Sequence, residues 1–148
     1  GTLSLVSGSD SNGMFESVDF LTHDFKDKRW DLIITNPPFS LAMKFIQKAM
    51  TLRKYPDSRV FMLLRLNFLG SQERAPWLRE HTPSIYVTPK RPKFCLNKKG
   101  QLSSDATEYS WMQFSGQISP RVHILETDLI EEPKKSNKNK KLLLPVIG

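Results

Sequence analysis

The sequence predicts an α/β domain, and three segments carry that prediction. Residues 31–35 and 60–64 are short apolar runs with the near-continuous hydrophobicity of strands buried in a parallel sheet. Between them, residues 41–53 place apolar side chains at helical spacing and polar side chains on the opposite face. Strand, helix and strand in this order predict a βαβ unit, whose ligands are expected beyond the carboxyl ends of the strands.

Shorter patterns assign the other elements. Residues 72–79 are predicted to form a short helix, and residues 88–107 a long loop or hairpin. Ser40 stands where the N-cap of the first helix belongs, because its hydroxyl can accept a bond from a free backbone N–H group. Further strands are predicted at residues 14–20, 84–88, 108–114 and 122–126.

Composition divides the chain into three parts. Residues 1–13 are rich in serine and glycine and lack periodicity, so they are predicted to be a flexible N-terminal segment. Residues 14–128 hold the predicted α/β domain. From residue 129 to residue 148 lysine, asparagine and serine dominate, which predicts a basic flexible C-terminal tail.

Bulk properties narrow the class of protein. The chain has 148 residues, of which 39% are hydrophobic, which is enough for one domain with a core. It contains no apolar run long enough for a membrane span and opens on no secretory signal, so neither is expected. A single cysteine, Cys95, cannot form an internal disulfide and has no patterned relation to the histidines. These features predict a cytoplasmic protein.

The net charge of +7 is unevenly distributed. Five of the 22 basic residues lie in the tail, and the other 17 compare with 15 acidic residues in the whole chain. A phosphate-binding face is one interpretation of the positive charge in the middle of the chain, and solvated surface charge is the other. This mid-chain basic cluster consists of Arg59, Arg65, Arg74, Arg79, Lys90, Arg91, Lys93, Lys98 and Lys99.

The most informative segment is Asn36-Pro37-Pro38-Phe39, which we name the NPPF motif and which follows the first apolar run. Each proline fixes its own φ and restricts the residue before it, so the turn is stiff. The Asn36 amide offers an acceptor and a donor, the Pro37 carbonyl is expected to point outward, and Phe39 adds a flat apolar ring. This chemistry predicts a pocket for an aromatic amine. A structural loop is the other interpretation, because Asn-Pro and Pro-Pro are ordinary turn signals.

An Asn-Pro-Pro-Phe string after an apolar strand resembles the catalytic motif of S-adenosylmethionine-dependent amino methyltransferases, and especially of N6-adenine DNA methyltransferases. Residues 18–21, Val-Asp-Phe-Leu, are similar to the acidic-aromatic cofactor segment of that family, and residues 64–111 are similar to phage and bacterial members. The resemblance covers roughly residues 18–115. It implies a partial Rossmann-like class I methyltransferase sheet with flanking helices, in which the first strands are missing.

The resemblance also implies roles for single residues. The expected catalytic residues are those of the NPPF motif, Asn36, Pro37, Pro38 and Phe39. The Asn36 side-chain oxygen and the Pro37 carbonyl would accept hydrogen bonds from the amine that receives the methyl group of S-adenosylmethionine. Asp19 resembles the family residue that binds the adenine amino group of this cofactor, and Phe20 resembles the residue that packs on its ring. Without that role, Asp19 is a solvated acid.

The resemblance implies DNA as the partner and a flipped adenine as the substrate. Phe39 is the expected stacking platform, and Phe94 is a second candidate because similar family members carry an aromatic residue in the corresponding loop. A loop anchor is the alternative role for Phe94. Arg65 and Asn67 are expected at the pocket rim as substrate contacts, although an arginine there can equally pair with a structural carboxylate. Trp111 is predicted to lie in the core.

One family feature has no counterpart in this sequence. The glycine-rich cofactor loop should precede Asp19 by several dozen residues, whereas eighteen residues precede Asp19 here. We therefore expect either part of a longer enzyme, completed by a further segment or a second chain, or a reduced relative without cofactor binding. Three hypotheses follow: an N6-adenine DNA methyltransferase, a catalytically inactive module that binds nucleic acid or a partner, and a methyltransferase acting on RNA adenine or protein glutamine. No metal site is predicted.

Overall fold

A mixed five-stranded sheet forms the centre of the computed structural model, which describes residues 4–7, 15–89, 93–104 and 107–126. The described helices are α1 (Ala42–Thr51) and α2 (Ala75–Glu80), and 3₁₀ turns span Phe39–Leu41 and Leu66–Leu69. The described strands, in chain order, are β1 (Ser4–Ser7), β2 (Phe15–Val18), β3 (Leu32–Thr35), β4 (Arg59–Arg65), β5 (Ser84–Val87), β6 (Lys93–Leu96), β7 (Leu102–Ser104), β8 (Tyr109–Ser115) and β9 (Val122–Ile124).

The strand order of the sheet is β3-β4-β8-β5-β9. Strands β3 and β4 are parallel and flank α1 in the chain, so the predicted βαβ unit is confirmed. Strand β8 runs antiparallel to both β4 and β5, and β9 pairs in parallel with β5. The predicted α/β class is confirmed, and this open mixed sheet with its helices is compatible with a Rossmann-like fold.

Two local predictions need correction, and a third is narrowed to one of its two alternatives. Residues Ser4–Ser7 lie in the segment predicted to be flexible, yet they form β1 and pair antiparallel with β2. The long segment before β8 is a hairpin of β6 and β7, which was one of its two predicted forms. The N-cap of α1 is Leu41, without a side-chain bond, because a 3₁₀ turn takes up Ser40 first. The predicted tail, residues 129–148, lies outside the described residues.

One face of the sheet, the covered face, packs against the helices. Its central side chains on β4 are Val60, Met62 and Leu64, which alternate toward this side as strand geometry requires. Helix α1 places Phe45 and Ile46 against it, and both side chains are completely or almost completely buried. This burial follows from the apolar stripe of α1, which loses its contact with water only by packing on a sheet.

The opposite face, the open face, carries the alternate residues of the same strands. Register places Phe61 and Leu63 of β4 on this side with Trp111 of β8 and Tyr86 of β5. Both described α-helices contribute their buried side chains to the core on the covered face. Trp111 was predicted to be a core residue, but it is only half-buried and lies on this other face. The open face therefore retains accessible aromatic side chains.

Strand β3 lies at the edge of the five-stranded sheet and differs from its prediction. It was expected to be buried on both sides, but Leu32 is 52% exposed and Ile34 is 57% exposed. These two side chains lie on the open face, whereas Ile33 packs against the core. The apolar run correctly predicts a strand, but it does not show which face of that strand packs against the core.

Candidate active site at the carboxyl end of the parallel strands

The carboxyl ends of β3 and β4 bring the main predicted site residues to one edge of the sheet. The NPPF motif follows β3 directly, and Arg65 ends the parallel neighbour β4. Strand β8 begins at this edge because it is antiparallel, and Tyr109 pairs with Arg65 across the ladder. The edge where a βαβ unit is expected to hold its ligand is thus the edge that holds the motif.

The NPPF motif forms a turn that leads from β3 into the 3₁₀ turn before α1. Pro37 is buried and acts as an anchor, whereas Asn36 is exposed. Pro38 has φ −56° and ψ 135°, and its carbonyl accepts a 2.9 Å hydrogen bond from the Leu41 N–H group at the start of α1. Among the residues that the structure describes, none hydrogen-bonds to the Asn36 amide or to the Pro37 carbonyl. Two acceptors are therefore left at a fixed turn.

Phe39 and Arg65 contact each other at this edge. Phe39 is 41% exposed, and the guanidinium carbon of Arg65 lies 5.3 Å from its ring centroid. This is a cation–π distance, so the arginine orients the ring. The contact unites two residues that were predicted separately, one as a stacking platform and one as a rim residue.

Asp19 and Phe20 lie on a turn that is held against α1. The Lys48 ammonium donates hydrogen bonds to the carbonyls of Leu21, at 2.9 Å, and His23, at 2.7 Å. Asp19 is exposed, and its Oδ1 atom accepts a 3.0 Å bond from the Leu21 N–H group, as in an Asx turn.

Phe20 has a structural environment. Its ring is 6% exposed and stacks on Phe45, with centroids 5.0 Å apart and planes inclined by 25°. Phe25 contacts the same ring at 5.8 Å, and the Lys48 ammonium lies 5.7 Å from its centroid. The aromatic surface that the resemblance assigns to the cofactor is thus already used in the core.

Two further predicted site residues are Asn67 and Phe94. Asn67 is exposed in the 3₁₀ turn that follows β4, where its carbonyl accepts a bond from the Gly70 N–H group. The backbone of Phe94 lies in β6, and its side chain is outside the described part of the chain. Asn67 therefore remains a rim candidate on geometry, and the role of Phe94 stays a prediction.

The described members of the mid-chain basic cluster are spread over several elements. Arg59 and Arg65 lie at opposite ends of β4. Arg74 is bound internally, because its Nε atom donates to the Phe68 carbonyl at 3.0 Å and its guanidinium lies 4.4 Å from the Phe68 ring centroid. Lys90 and Arg91 are outside the described residues. The interpretation of this cluster as a phosphate-binding face therefore stays a prediction, from which Arg74 is set apart by its internal contacts.

Sequence reasoning missed a groove of about 710 Å³ at the other end of the sheet. Asp31, Arg59 and Ser84 mark its position at the amino ends of three strands, and Phe61, Tyr86 and His123 line it from the open face. None of the four NPPF residues lines this groove. Its sequence signal was the alternation of aromatic with basic or polar residues at 59/61, 84/86 and 121/123, which becomes visible only when register aligns the strands.

Comparisons with known proteins add no identification: no protein-family model matches this chain, and no curated protein matches it. Within the described ranges, no group of three histidine, cysteine, aspartate or glutamate side chains is placed to hold a metal ion. No described helix is long and apolar enough to cross a membrane.

Proposed function

We propose that the NPPF motif binds the exocyclic amine of adenine and that the chain serves as the substrate-binding part of an S-adenosylmethionine-dependent N6-adenine DNA methyltransferase. The observation that carries the proposal is a pair of acceptors, the Asn36 amide and the Pro37 carbonyl, at the carboxyl end of a parallel strand. No described residue donates a hydrogen bond to either of them.

The chemistry needs positioning more than it needs a base. The lone pair of the adenine amine is delocalised into the ring, so the amine is a weak nucleophile. Hydrogen bonds from this amine to Asn36 and Pro37 favour a tetrahedral nitrogen and stabilise the positive charge that develops during methyl transfer. Because Pro37 and Pro38 fix the turn before the substrate arrives, little reorganisation is required.

The aromatic ring of Phe39 supports this role. A target adenine must leave the base stack before its amine can be reached, and a flipped base is held against an aromatic face. Phe39 offers such a face beside Asn36, and Arg65 occupies a cation–π position on the ring. Phe94 and Asn67 remain proposed substrate contacts.

The methyl donor is proposed to bind with the help of a second chain or a further segment. Asp19 is the proposed contact to the adenine amino group of S-adenosylmethionine, because its carboxylate is exposed on a turn fixed by Lys48. Among the described strands none pairs with the outer edge of β3, where the side chains of Leu32 and Ile34 are exposed. An added strand there would end next to the NPPF motif.

A second function is favoured by one specific observation. Phe20, the ring that the resemblance assigns to the cofactor adenine, is buried against Phe45 in the core and is not exposed for stacking. A catalytically inactive module that binds nucleic acid or a partner through the same edge is consistent with this packing. Calorimetry with S-adenosylmethionine separates the two functions: heat of binding supports the enzyme, and its absence at millimolar cofactor supports the module for the chain alone.

Transfer of a labelled methyl group to DNA, RNA and protein, assayed in parallel, tests the enzymatic function. We expect transfer to adenine in DNA, with RNA adenine and protein glutamine as the competing acceptors. Asn36→Ala should lower the rate by about 100-fold or more, as expected for loss of a transition-state hydrogen bond. Gln47→Ala, which removes an exposed amide from α1, is the matched control and should change nothing. An Asn36→Ala variant with the wild-type rate would refute the assignment.

A further inference from the structure

The groove at the amino end of the sheet has the composition of a binding site. It lies on the open face, where register brings together the aromatic rings of Phe61, Tyr86 and His123 from three strands. Its volume of about 710 Å³ is in the range of small-ligand sites. The NPPF motif is at the opposite end of the same strands, so the two regions are separate.

The aromatic rings are stacked and held in place. His123 lies parallel to Tyr86, with ring centroids 4.6 Å apart and planes inclined by 10°. The Tyr86 hydroxyl donates a 3.0 Å hydrogen bond to Gln113 Oε1, which fixes the lower ring of this pair. Phe61 contacts Tyr86 at 6.0 Å with a tilt of 54°. His123 is exposed, so a planar ligand ring has access to the top of the stack.

Charged groups surround the rings. Arg59 and Arg121 line the groove and are both exposed, and the Arg121 backbone N–H group is fixed by a 3.1 Å bond to Ser84 Oγ. Two carboxylates, Asp31 and Asp57, also line it. The Asp31 carboxylate lies 3.9 Å from the Lys54 ammonium, which offsets its charge. The groove thus combines stacked aromatic rings with guanidinium groups that can bind phosphate.

We propose that this groove binds a nucleotide unit of single-stranded nucleic acid, with a base on the His123–Tyr86 stack and a phosphate on Arg121 or Arg59. A sheet face that carries aromatic and basic side chains is a recurrent platform for unpaired bases, because every base has a stacking face and every linkage a negative charge. A duplex keeps its bases stacked on each other and cannot use the rings. The proposal does not depend on methyl transfer at Asn36.

Fluorescence anisotropy with a labelled oligothymidine of about ten nucleotides tests the proposal without involving the NPPF motif, since thymine has no exocyclic amine. We expect saturable binding that is weaker for the same sequence as a duplex. His123→Ala should weaken binding by about tenfold, the effect of one lost stacking contact, whereas His123→Tyr should stay within about twofold of wild type. Circular dichroism and thermal melting verify that both variants fold.

The phosphate contact has its own test. Arg121→Gln should weaken binding and reduce the slope of log affinity against log salt by about 0.7, the value for one phosphate on a single strand. Arg79→Gln, which removes an exposed arginine from α2, is the matched control and should leave the salt slope unchanged. Asn36→Ala should bind oligothymidine as wild type does, which separates this groove from the proposed active site.

The outcome also identifies the source of the ligand. Displacement of the oligonucleotide by millimolar thymidine monophosphate supports the groove as a nucleotide site. Equal affinities for thymidine monophosphate and oligothymidine would assign the groove to free nucleotides. The absence of any oligothymidine binding at about 100 μM protein would overturn the proposal, because even non-specific binding is expected in this range. The proposal would also be overturned if both His123→Ala and Arg121→Gln bound oligothymidine with wild-type affinity. Equal affinity for the single strand and the duplex would overturn it as well. A protein partner on this face would fit those results.

Discussion

The two faces of the five-stranded sheet use the same strands for different purposes. On the covered face, Val60 and Met62 are fully buried and pack in the hydrophobic core with α1. On the open face, Phe61 is only half-buried and lines a groove with charged groups. One apolar strand thus provides the core with every second side chain and lines an open groove with the others.

The largest contrast is expected between two phenylalanines. Phe45→Ala removes a ring that is 1% exposed and should destabilise the domain by about 3–5 kcal/mol, through lost burial and a cavity. Phe61→Ala, on the open face, should destabilise it by about 1–2 kcal/mol, because its ring is only partly buried. Urea denaturation measures both. Equal losses would show that the open face is as well packed as the core.

Gly116 lies at the rim of the groove on the open face, and its backbone conformation is constrained. It has φ 86°, and an added Cβ atom would lie 2.6 Å from Arg59 Cγ and 2.7 Å from the Asp57 carbonyl oxygen. Gly116→Ala should cost about 2–3 kcal/mol, from backbone strain and from the clash. Gly100→Ala is the matched control, because Gly100 has φ 71° with open space around it.

Thermal or urea denaturation should find Gly100→Ala destabilised by about 1 kcal/mol, the cost of the positive φ alone. The difference between the two variants measures how closely the residues 57–59 approach Gly116. If Gly116→Ala lowers the free energy of unfolding no more than Gly100→Ala does, residues 57–59 do not pack closely against Gly116.

Lys48 connects the covered side to the turn that carries Asp19. Lys48→Met keeps the apolar stem and removes the donor to the Leu21 and His23 carbonyls. We expect a loss of about 1–2 kcal/mol, because both carbonyls lose a charge-assisted bond in a partly buried position. Lys44→Met on the exposed side of α1 is the control and should be neutral in urea denaturation. A neutral Lys48→Met would show that the turn is held by the Phe20–Phe45 packing alone.

The smallest effect is expected at the outer edge of β3. Ile34→Thr should change the free energy of unfolding by no more than about 0.5 kcal/mol, because Ile34 is largely exposed. Ile33→Thr, its neighbour on the covered face, should cost about 1–2 kcal/mol, because it packs against the core. A large effect at Ile34 would mean that another part of the chain covers β3.

The sequence determined most of the secondary structure and the position of the NPPF motif. The βαβ unit was predictable because Phe45, Ile46 and Ala49 repeat at helical spacing between two apolar runs. Ser40 failed as an N-cap because the two prolines impose a geometry that continues as a 3₁₀ turn, and the helix starts later. The turn chemistry of Asn36 and Phe39 needed no tertiary information.

A single sequence does not show which face of a strand is covered in the tertiary structure or how the strands are aligned. Nothing in the run 32–34 tells which of its side chains meets a helix, and Leu32 and Ile34 prove to be exposed. The groove required Tyr86 and His123 to be neighbours, which depends on the parallel pairing of β5 with β9. Phe20 was assigned to a cofactor from local sequence, whereas its partner Phe45 is 25 residues away on α1.

A titration followed by two-dimensional NMR tests most directly whether the NPPF motif is an amine-binding site. The chain is labelled with nitrogen-15, and the ligand is a single-stranded oligonucleotide that contains adenine. We predict a set of shifted amide resonances at Asn36, Phe39 and Arg65, which vanishes when oligothymidine replaces the adenine strand. Asn36→Ala should abolish the same set while the groove residues still respond. If saturating adenine oligonucleotide leaves Asn36 and Phe39 unshifted, the motif is a structural turn and the proposed function is wrong.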